Sequence, residues 1–405
     1  MLKEKVRGDI LKKILFVLSN DNIGGPQKSL IALLDKIDYS IFEVDLYTID
    51  SGGHLNSYFN KKVNILKSNS LLHSYTLPSK SVLKHLSCMI LNLKFSAAKD
   101  YILSIFNNKI LKKNMNYQRQ EFWRKHKEGL SSFSKEYDIA FGILGMSTYL
   151  IADLVNSSKK YHWVRSDSRI LKRNQKIEAE YFRKLDGSLS VSDECTKVFV
   201  QMYPFMREKT YTFLNHIPTS FYSKLEHDDT LMKKNDETQL NILTVTRLDP
   251  LKGIEMAIDA CEVLIRKGYN IRWYVLGGGK FKTEIDKLIS DKNLKMNFVL
   301  LGFQLNTLSF IKQSDIFVHP SRTEGKSNAV DEAKYIGKPI VVTNYDTVGD
   351  QIEHGNTGLI CDMNGVAIAT EIEKLINDKQ LSEQLSKNCK GQLDGSEVNE
   401  FFLGL

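Results

Sequence analysis

Ile316-Phe317-Val318-His319-Pro320-Ser321-Arg322-Thr323-Glu324-Gly325-Lys326-Ser327-Asn328-Ala329-Val330-Asp331-Glu332-Ala333 is the stretch on which the reading of the fold turns. Its first four residues are a short apolar run closed by Pro320, the pattern of a buried strand. Ala329–Ile336 has helical spacing, so a polar loop carries the chain from strand to helix. The residues on either side repeat the pattern. Leu240–Val245, Ile271–Leu276, Asn297–Leu301, Pro339–Thr343 and Gly358–Cys361 read as strands. Gly253–Lys267, Lys280–Ser290, Leu308–Gln313 and Val366–Asn377 read as helices. Upstream, Lys13–Leu18, Phe42–Ile49, Lys62–Leu66, Asp138–Leu144, Lys160–Val164 and Gly187–Val191 are further strands, with helices at Gln27–Ile37 and Met146–Val155. Short apolar strands alternating with helices predict parallel sheets covered on both faces, an α/β class. The polar stretch Pro218–Gln239 predicts a linker. The expected division is therefore an α/β domain over 1–217, a linker over 218–239 and a second α/β domain over 240–380. The tail, 381–405, either ends there or returns to the first domain.

The chain has 405 residues, 42% hydrophobic and 26% charged, enough for two packed cores and ordinary for a globular protein. Seven prolines and 24 glycines exclude a collagen-like or Pro-rich chain, and 10% aromatic content argues against disorder. The five cysteines, Cys88, Cys195, Cys261, Cys361 and Cys389, are odd in number and widely spaced, which suits a reducing compartment rather than a disulfide framework or zinc site. No stretch reaches the roughly 20 apolar residues of a membrane span, and no signal peptide is visible. A cytoplasmic location is expected, with peripheral attachment to the inner face of the plasma membrane as the variant considered below.

Several positions carry chemistry. Glu324 sits in the strand-to-helix loop and Glu332 inside the helix, eight residues on. Carboxylates so placed can accept hydrogen bonds from sugar hydroxyls, and the helix N-terminus favours anions. Arg247 and Lys252 lie five apart in a turn between strand and helix, where a guanidinium and an ammonium can clamp a diphosphate. Gly24-Gly25 after the first strand lets backbone approach a ligand. Gly24-Gly25-Pro26-Gln27-Lys28-Ser29 is not a phosphate-binding P-loop, because Gln27 stands where that motif requires glycine. Gly277-Gly278-Gly279 is only part of a dinucleotide fingerprint, since Lys282 occupies the third glycine position. His319 and His354 lack partners at metal-ligand spacing and read as structural.

The quoted string resembles the Glu-x7-Glu motif of the retaining glycosyltransferase 4 family. Val245–Gly253, Tyr274–Gly279, Gly337–Val341 and Gly355–Ile360 are similar to that family's other signatures in order and spacing, over about Asn241–Asn377. The N-terminal half resembles the family more weakly, through Gly24-Gly25, Val191–Glu194 and Asn215. The resemblance implies a GT-B architecture, two Rossmann-like domains facing a cleft, with 1–217 binding the acceptor and 240–380 the nucleotide sugar. It implies that Glu332 binds the ribose of the donor nucleotide, that Glu324 contacts the transferred sugar, and that Arg247 and Lys252 hold the donor diphosphate. It also implies that Gly24, Gly25, Gly277 and the backbone of Gly325, Lys326, Ser327 and Asn328 line the donor. Lys326 stands where many members have an aromatic residue, and a phosphate contact is the role expected of it. Trp163-Val164-Arg165 resembles the Trp-x-His of the bacterial polysaccharide subgroup with Arg165 in place of histidine. Arg165 is thus a candidate catalytic residue able to stabilise anionic charge but not to act as a base, and His162 reads as a core or surface histidine. The absence of any Asp-x-Asp motif favours a metal-independent reaction with no cofactor beyond the donor. The expected activity is transfer of a hexose-type sugar from a nucleotide sugar, a UDP-sugar foremost, to a lipid-linked glycan acceptor in bacterial surface polysaccharide synthesis. A nucleotide-sugar epimerase on the same architecture and a catalytically silent membrane- or nucleic-acid-binding partner are the alternatives.

The formal net charge of +8 is unevenly spread. Between Lys80 and Lys135 twelve basic residues face only Asp100, Glu121 and Glu128. Leucines, isoleucines and aromatics lie among these lysines at helical spacing. One reading is a basic amphipathic surface for anionic lipid; the other is a helical pair packing its apolar stripe on the core. No nucleic-acid motif accompanies the charge, so no nucleic-acid partner is expected.

Overall fold

The computed structural model describes residues 11–51, 55–77, 81–225, 232, 234, 236–389 and 398–405. The chain divides into two compact units, the first within Met1–Leu214 and Ser396–Leu405, the second within Asn215–Gly395.

In the first unit seven strands form one sheet: β1 (Lys12–Asn20), β2 (Phe42–Asp50), β3 (Asn64–Leu66), β4 (Glu136–Ile143), β5 (Asn156–Val164), β6 (Gly187–Ser190) and β7 (Thr210–Thr212). Their order is β3-β2-β1-β4-β5-β6-β7, and every neighbouring pair is parallel. Central β1 reads as a continuous apolar run because Ile14 to Leu18 are sealed on both faces and fully buried. The order reverses between β1 and β4, the switch point at which a crevice opens beyond the strands' carboxyl ends. Edge strand β7, Thr-Tyr-Thr, has no apolar run and escaped the sequence reading. The helix Val398–Gly404 belongs to this unit. Its Phe402 ring lies 5.4 Å from Phe141 and 6.3 Å from Phe16, and Asn399 bonds the end of the helix Gly25–Lys36 through the Lys36 carbonyl. The intervening 390–397 lie outside the described residues.

Between β3 and β4, after a short helix Ser70–Ser74, the chain forms three longer helices, Val82–Leu91, Phe95–Lys109 and Met115–His126. Trp123 anchors the third, buried and donating to Asp153 at 2.9 Å. The second is inverted relative to an ordinary core helix. Its buried face is Ala97, Ala98, Tyr101 and Ser104, while Phe95, Ile102, Leu103 and Phe106 are exposed. The segment thus divides its apolar side chains: Met89, Tyr101, Phe122 and Trp123 are buried in the core with Val82, Leu86 and Ile105 packed against it, while Leu83, Ile90, Leu93, Ile102, Phe106, Ile110 and Leu111 face outward.

The second unit contains β8 (Leu240–Val245), β9 (Ile271–Leu276), β10 (Phe298–Gly302), β11 (Ile316–His319), β12 (Ile340–Thr343) and β13 (Leu359–Cys361), all parallel in the order β10-β9-β8-β11-β12-β13. Its switch point lies between β8 and β11. The unit begins at Asn215, not after a free linker: Thr219–Ser223 is a short helix with Phe221 and Tyr222 buried. This apolar pair inside an otherwise polar stretch folds the start of the expected linker onto the second unit. Residues 226–231, 233 and 235 of that stretch lie outside the described residues.

Candidate functional site

The loops that follow β8 and β11 flank the switch point, and between them they carry Arg247, Lys252 and Glu324. Glycines set the approach. Gly253 has φ +62°, and a Cβ there would stand 2.0 Å from the Pro320 carbonyl oxygen. Only glycine lets the turn Pro250–Lys252 lie against the loop after β11. Gly277, at φ +141°, packs against the backbone between β8 and Arg247: its Cβ would be 1.8 Å from the Thr246 oxygen and 3.5 Å from the Arg247 nitrogen. The Gly277 N–H donates to the Gly302 carbonyl at the end of β10 at 2.7 Å, which holds Gly277 in place against the backbone that leads into Arg247.

The result is a compact ion cluster. Lys252 Nζ donates to Glu324 Oε1 at 2.6 Å, and each of the two side chains is 13% exposed. His319 Nε2 lies 2.9 Å from the same oxygen, while its Nδ1 has no partner among the described residues, which fits an imidazole protonated on Nε2. Burial alone would raise the Glu324 pKa, but the bond from His319 and the Lys252 ammonium outweigh it and hold the carboxyl down at about 2. Glu324 is thus an anion whose Oε1 is committed and whose Oε2 accepts no hydrogen bond from the described residues. Arg247 is exposed and makes no hydrogen bond or ion pair among them, so it is an available cation beside this cluster.

Glu332 occupies a second, buried polar cluster. Tyr222 donates to its Oε1 at 2.5 Å and Thr307 to its Oε2 at 2.8 Å, with the two hydroxyls 2.8 Å apart. Lys326 departs from the phosphate contact expected of it. Its side chain is 4% exposed and its ammonium lies 3.1 Å from Asp331, so it braces the start of the helix Asn328–Ile336 from inside. Ser327 caps that helix through Val330 N, and its own N–H donates to Gln351. Asn328 accepts from Asn215 at 2.8 Å. Gly325 lies in the loop between these clusters.

The comparisons with known proteins bear on this unit. Residues 228–392 match the family described as glycosyl transferases group 1. Over that range the second unit is similar to the group 1 glycosyl transferases. The capsular polysaccharide biosynthesis glycosyltransferase CapM of Staphylococcus aureus is 30% identical over 181 residues, 43% of this chain and 47% of that protein. The poly(ribitol-phosphate) alpha-N-acetylglucosaminyltransferase of S. aureus strain COL is 23% identical over 232 residues, 57% of this chain and 45% of that protein. The chain thus spans somewhat less than half the length of these curated relatives. Among solved structures, HepE of Anabaena in complex with UDP superposes with a TM-score of 0.67 at 15% identity, covering 97% of this chain and 99% of that one. The fold is GT-B.

The remaining expected positions lie in the first unit. Gly24 caps the helix Gly25–Lys36 with extended backbone, and Pro26 occupies its first turn. Arg165 follows β5, its guanidinium 5.3 Å from the Trp163 ring centroid, and burial lowers its pKa without removing its charge at neutral pH. His162 is a buried core side chain paired with Thr148 at 2.7 Å, its pKa pushed down to about 3 by burial.

Residues that complete these two clusters escaped the sequence reading. His319 read as structural, yet it positions Glu324. Tyr222 lay inside the expected linker, and Thr307 carried no motif. The one available signal was Phe221-Tyr222, an aromatic pair out of place in a polar connection.

Proposed function

We propose that the protein is a retaining, metal-independent glycosyltransferase that moves a hexose-type sugar from a UDP-sugar to a lipid-linked glycan acceptor in bacterial surface polysaccharide synthesis. The observation that carries this is the Lys252–Glu324–His319 cluster with exposed Arg247 beside it, at the switch point of a group 1 domain. In this reading Arg247 and Lys252 stabilise the charge growing on the leaving nucleoside diphosphate. Two protein cations there serve the role a divalent ion has in other transferases. Glu324 Oε2 accepts a hydroxyl of the transferred sugar and fixes it while the acceptor attacks from the face the diphosphate leaves. Glu332, held by Tyr222 and Thr307, accepts the ribose hydroxyls. HepE was solved with UDP, and CapM is named for capsular polysaccharide biosynthesis, which supports the donor class and the pathway class.

The membrane side of the proposal rests on the helices between β3 and β4. Much of their charge is neutralised: Lys125 pairs with Asp100, Lys127 with Asp153, and Lys135 with Glu43 and Asp45. Lys84, Lys99, Lys109, Lys112 and Lys113 are exposed and have no ion pair among the described residues. They stand among Leu83, Leu91 and Leu93, which are 80, 81 and 75% exposed. Apolar side chains turned outward beside unpaired lysines suit an anionic bilayer surface, each lysine contributing about 1 kcal/mol there. No helix among the described residues is long and apolar enough to cross a membrane.

Calorimetric titration with a panel of nucleotide sugars tests the donor, and transfer assays on a polyprenyl-linked acceptor test the reaction. Binding of one UDP-sugar, with transfer abolished by Glu324→Ala, is the expected result. No binding by any nucleotide sugar, or unchanged transfer by Glu324→Ala, refutes the assignment. Sedimentation with anionic vesicles should fall at least tenfold in a Leu91→Ser, Leu93→Ser, Phe95→Ser variant; equal sedimentation removes the membrane surface.

A further inference from the structure

The first unit contains a pocket of about 680 Å³ at its own switch point, beyond the carboxyl ends of β1, β2 and β4. Its walls include Ser19 and Asn20 at the end of β1, Gly145 after β4, and Lys84, Arg119 and Arg173 from the segments outside the sheet. The charges in it are unbalanced. Arg173 Nη1 pairs with the buried Glu178 at 2.9 Å, and Tyr203 donates to the other oxygen of that carboxylate. His73 lies 3.5 Å from Asp50 at the rim. Arg119 has no carboxylate among the described residues: its Nε donates to the Leu77 carbonyl and its Nη1 to Asn116 at 3.4 Å. Burial, and then repulsion by Arg173, both lower its pKa. Exposed Lys84 likewise has no ion pair among the described residues.

A half-buried guanidinium with no counter-charge among the described residues, set close to a second guanidinium, is a destabilising arrangement for the protein by itself. An anion entering the pocket removes that penalty. Two planar forks and an ammonium converging on one space match the three or more oxygens of a phosphate better than a single carboxylate. The pocket is also large enough for a sugar or polyol attached to that phosphate.

Resting on the glycosyltransferase reading above, we propose that this pocket is an acceptor subsite that binds a phosphate ester of the glycan acceptor, with Arg119 as its principal contact and Arg173 and Lys84 beside it. The acceptor is therefore a phosphorylated sugar, whether the phosphate joins it to a lipid carrier or lies within a glycan. The helix Val82–Leu91 supplies Lys84 to the pocket and also carries exposed Leu83 and Leu91, so a lipid-borne phosphate would enter from the same surface that meets the bilayer.

The test is calorimetry on the full chain saturated with UDP, using glucose 1-phosphate, neutral glucose and a short-chain polyprenyl diphosphate glucose in detergent as probes. Both phosphate probes, or either one, are expected to bind while glucose does not, and the tighter of the two identifies the source of the phosphate. Arg119→Gln should weaken the phosphate probe at least tenfold and Arg119→Lys less. Lys84→Gln, at an exposed position that does not threaten folding, should weaken it about threefold. UDP affinity should be unchanged in all three. Glucose binding as tightly as the phosphates, or phosphate affinity indifferent to both Arg119→Gln and Lys84→Gln, overturns the subsite. If UDP and every nucleotide sugar fail to bind the wild type, the donor reading fails instead. If UDP binds and neither phosphate probe does, the subsite alone fails.

Discussion

The Lys252–Glu324 pair offers the sharpest quantitative test of the donor cluster. Two unit charges 2.6 Å apart attract by about 6 kcal/mol at an effective dielectric near 20. Desolvation of both groups offsets roughly half of this, because each side chain is largely buried. Removing one partner strands the other charge without water. Lys252→Ala and Glu324→Ala should therefore each cost about 3 kcal/mol, while the double variant costs little more than either single one. The expected coupling is about 2–3 kcal/mol. Urea denaturation at pH 7.5 of the wild type, the two single variants and the double variant measures it directly. Repeating the cycle in 1 M NaCl should change the coupling by less than about 0.5 kcal/mol, since a buried pair is weakly screened. Additivity within about 0.5 kcal/mol, or a coupling erased by salt, would show that the pair behaves as a surface contact. The picture of a preformed anionic Glu324 would then be wrong.

Three further expectations follow from the same geometry. Tyr222→Phe removes one of the two hydroxyls that hold Glu332 and should cost about 1 kcal/mol of stability; donor KM should rise several-fold with kcat little changed, and equal kinetics would separate Glu332 from donor binding. Gly277→Ala forces a Cβ onto the Thr246 oxygen and must shift the loop bearing Arg247. Its UDP affinity should fall at least tenfold in calorimetry, whereas wild-type affinity would show that the loop is not a donor contact. Finally, burial pushes His85 down to about 4 and His162 to about 3, below an unfolded value of about 6.5. The unfolded chain therefore takes up those protons first. Stability is fully present above about pH 6.5 and falls as pH drops toward 4, by up to about 1.4 kcal/mol per pH unit for each histidine. His162→Gln should roughly halve the slope measured by urea denaturation between pH 6 and 4.5, and an unchanged slope would refute its buried neutral state.

The sequence by itself determined the sheets. Apolar runs such as Ile14–Leu18 and Ile316–His319 are legible because strands covered on both faces leave no polar alternation, and burial acts on them locally. The short edge strand β7, paired on one side, left no such trace. Motif spacing likewise placed Glu324, Arg247 and Lys252 in loops at strand ends, since that depends only on position along the chain. What each loop side chain touches was decided by tertiary structure. Lys252 meets Glu324 across 72 residues because two glycines admit close backbone approach. Lys326, expected at a phosphate, turns inward because Asp331 waits one helical turn on. Tyr222 leaves an apparent linker because its ring gains burial and its hydroxyl gains Glu332, 110 residues away. That Arg119 has no carboxylate partner among the described residues could not be read at all, because the charges around a side chain are a property of the space it occupies and not of its neighbours in sequence. Local apolar pattern fixes secondary structure through short-range burial, whereas the pairing of charges depends on contacts that exist only once distant loops have been brought together.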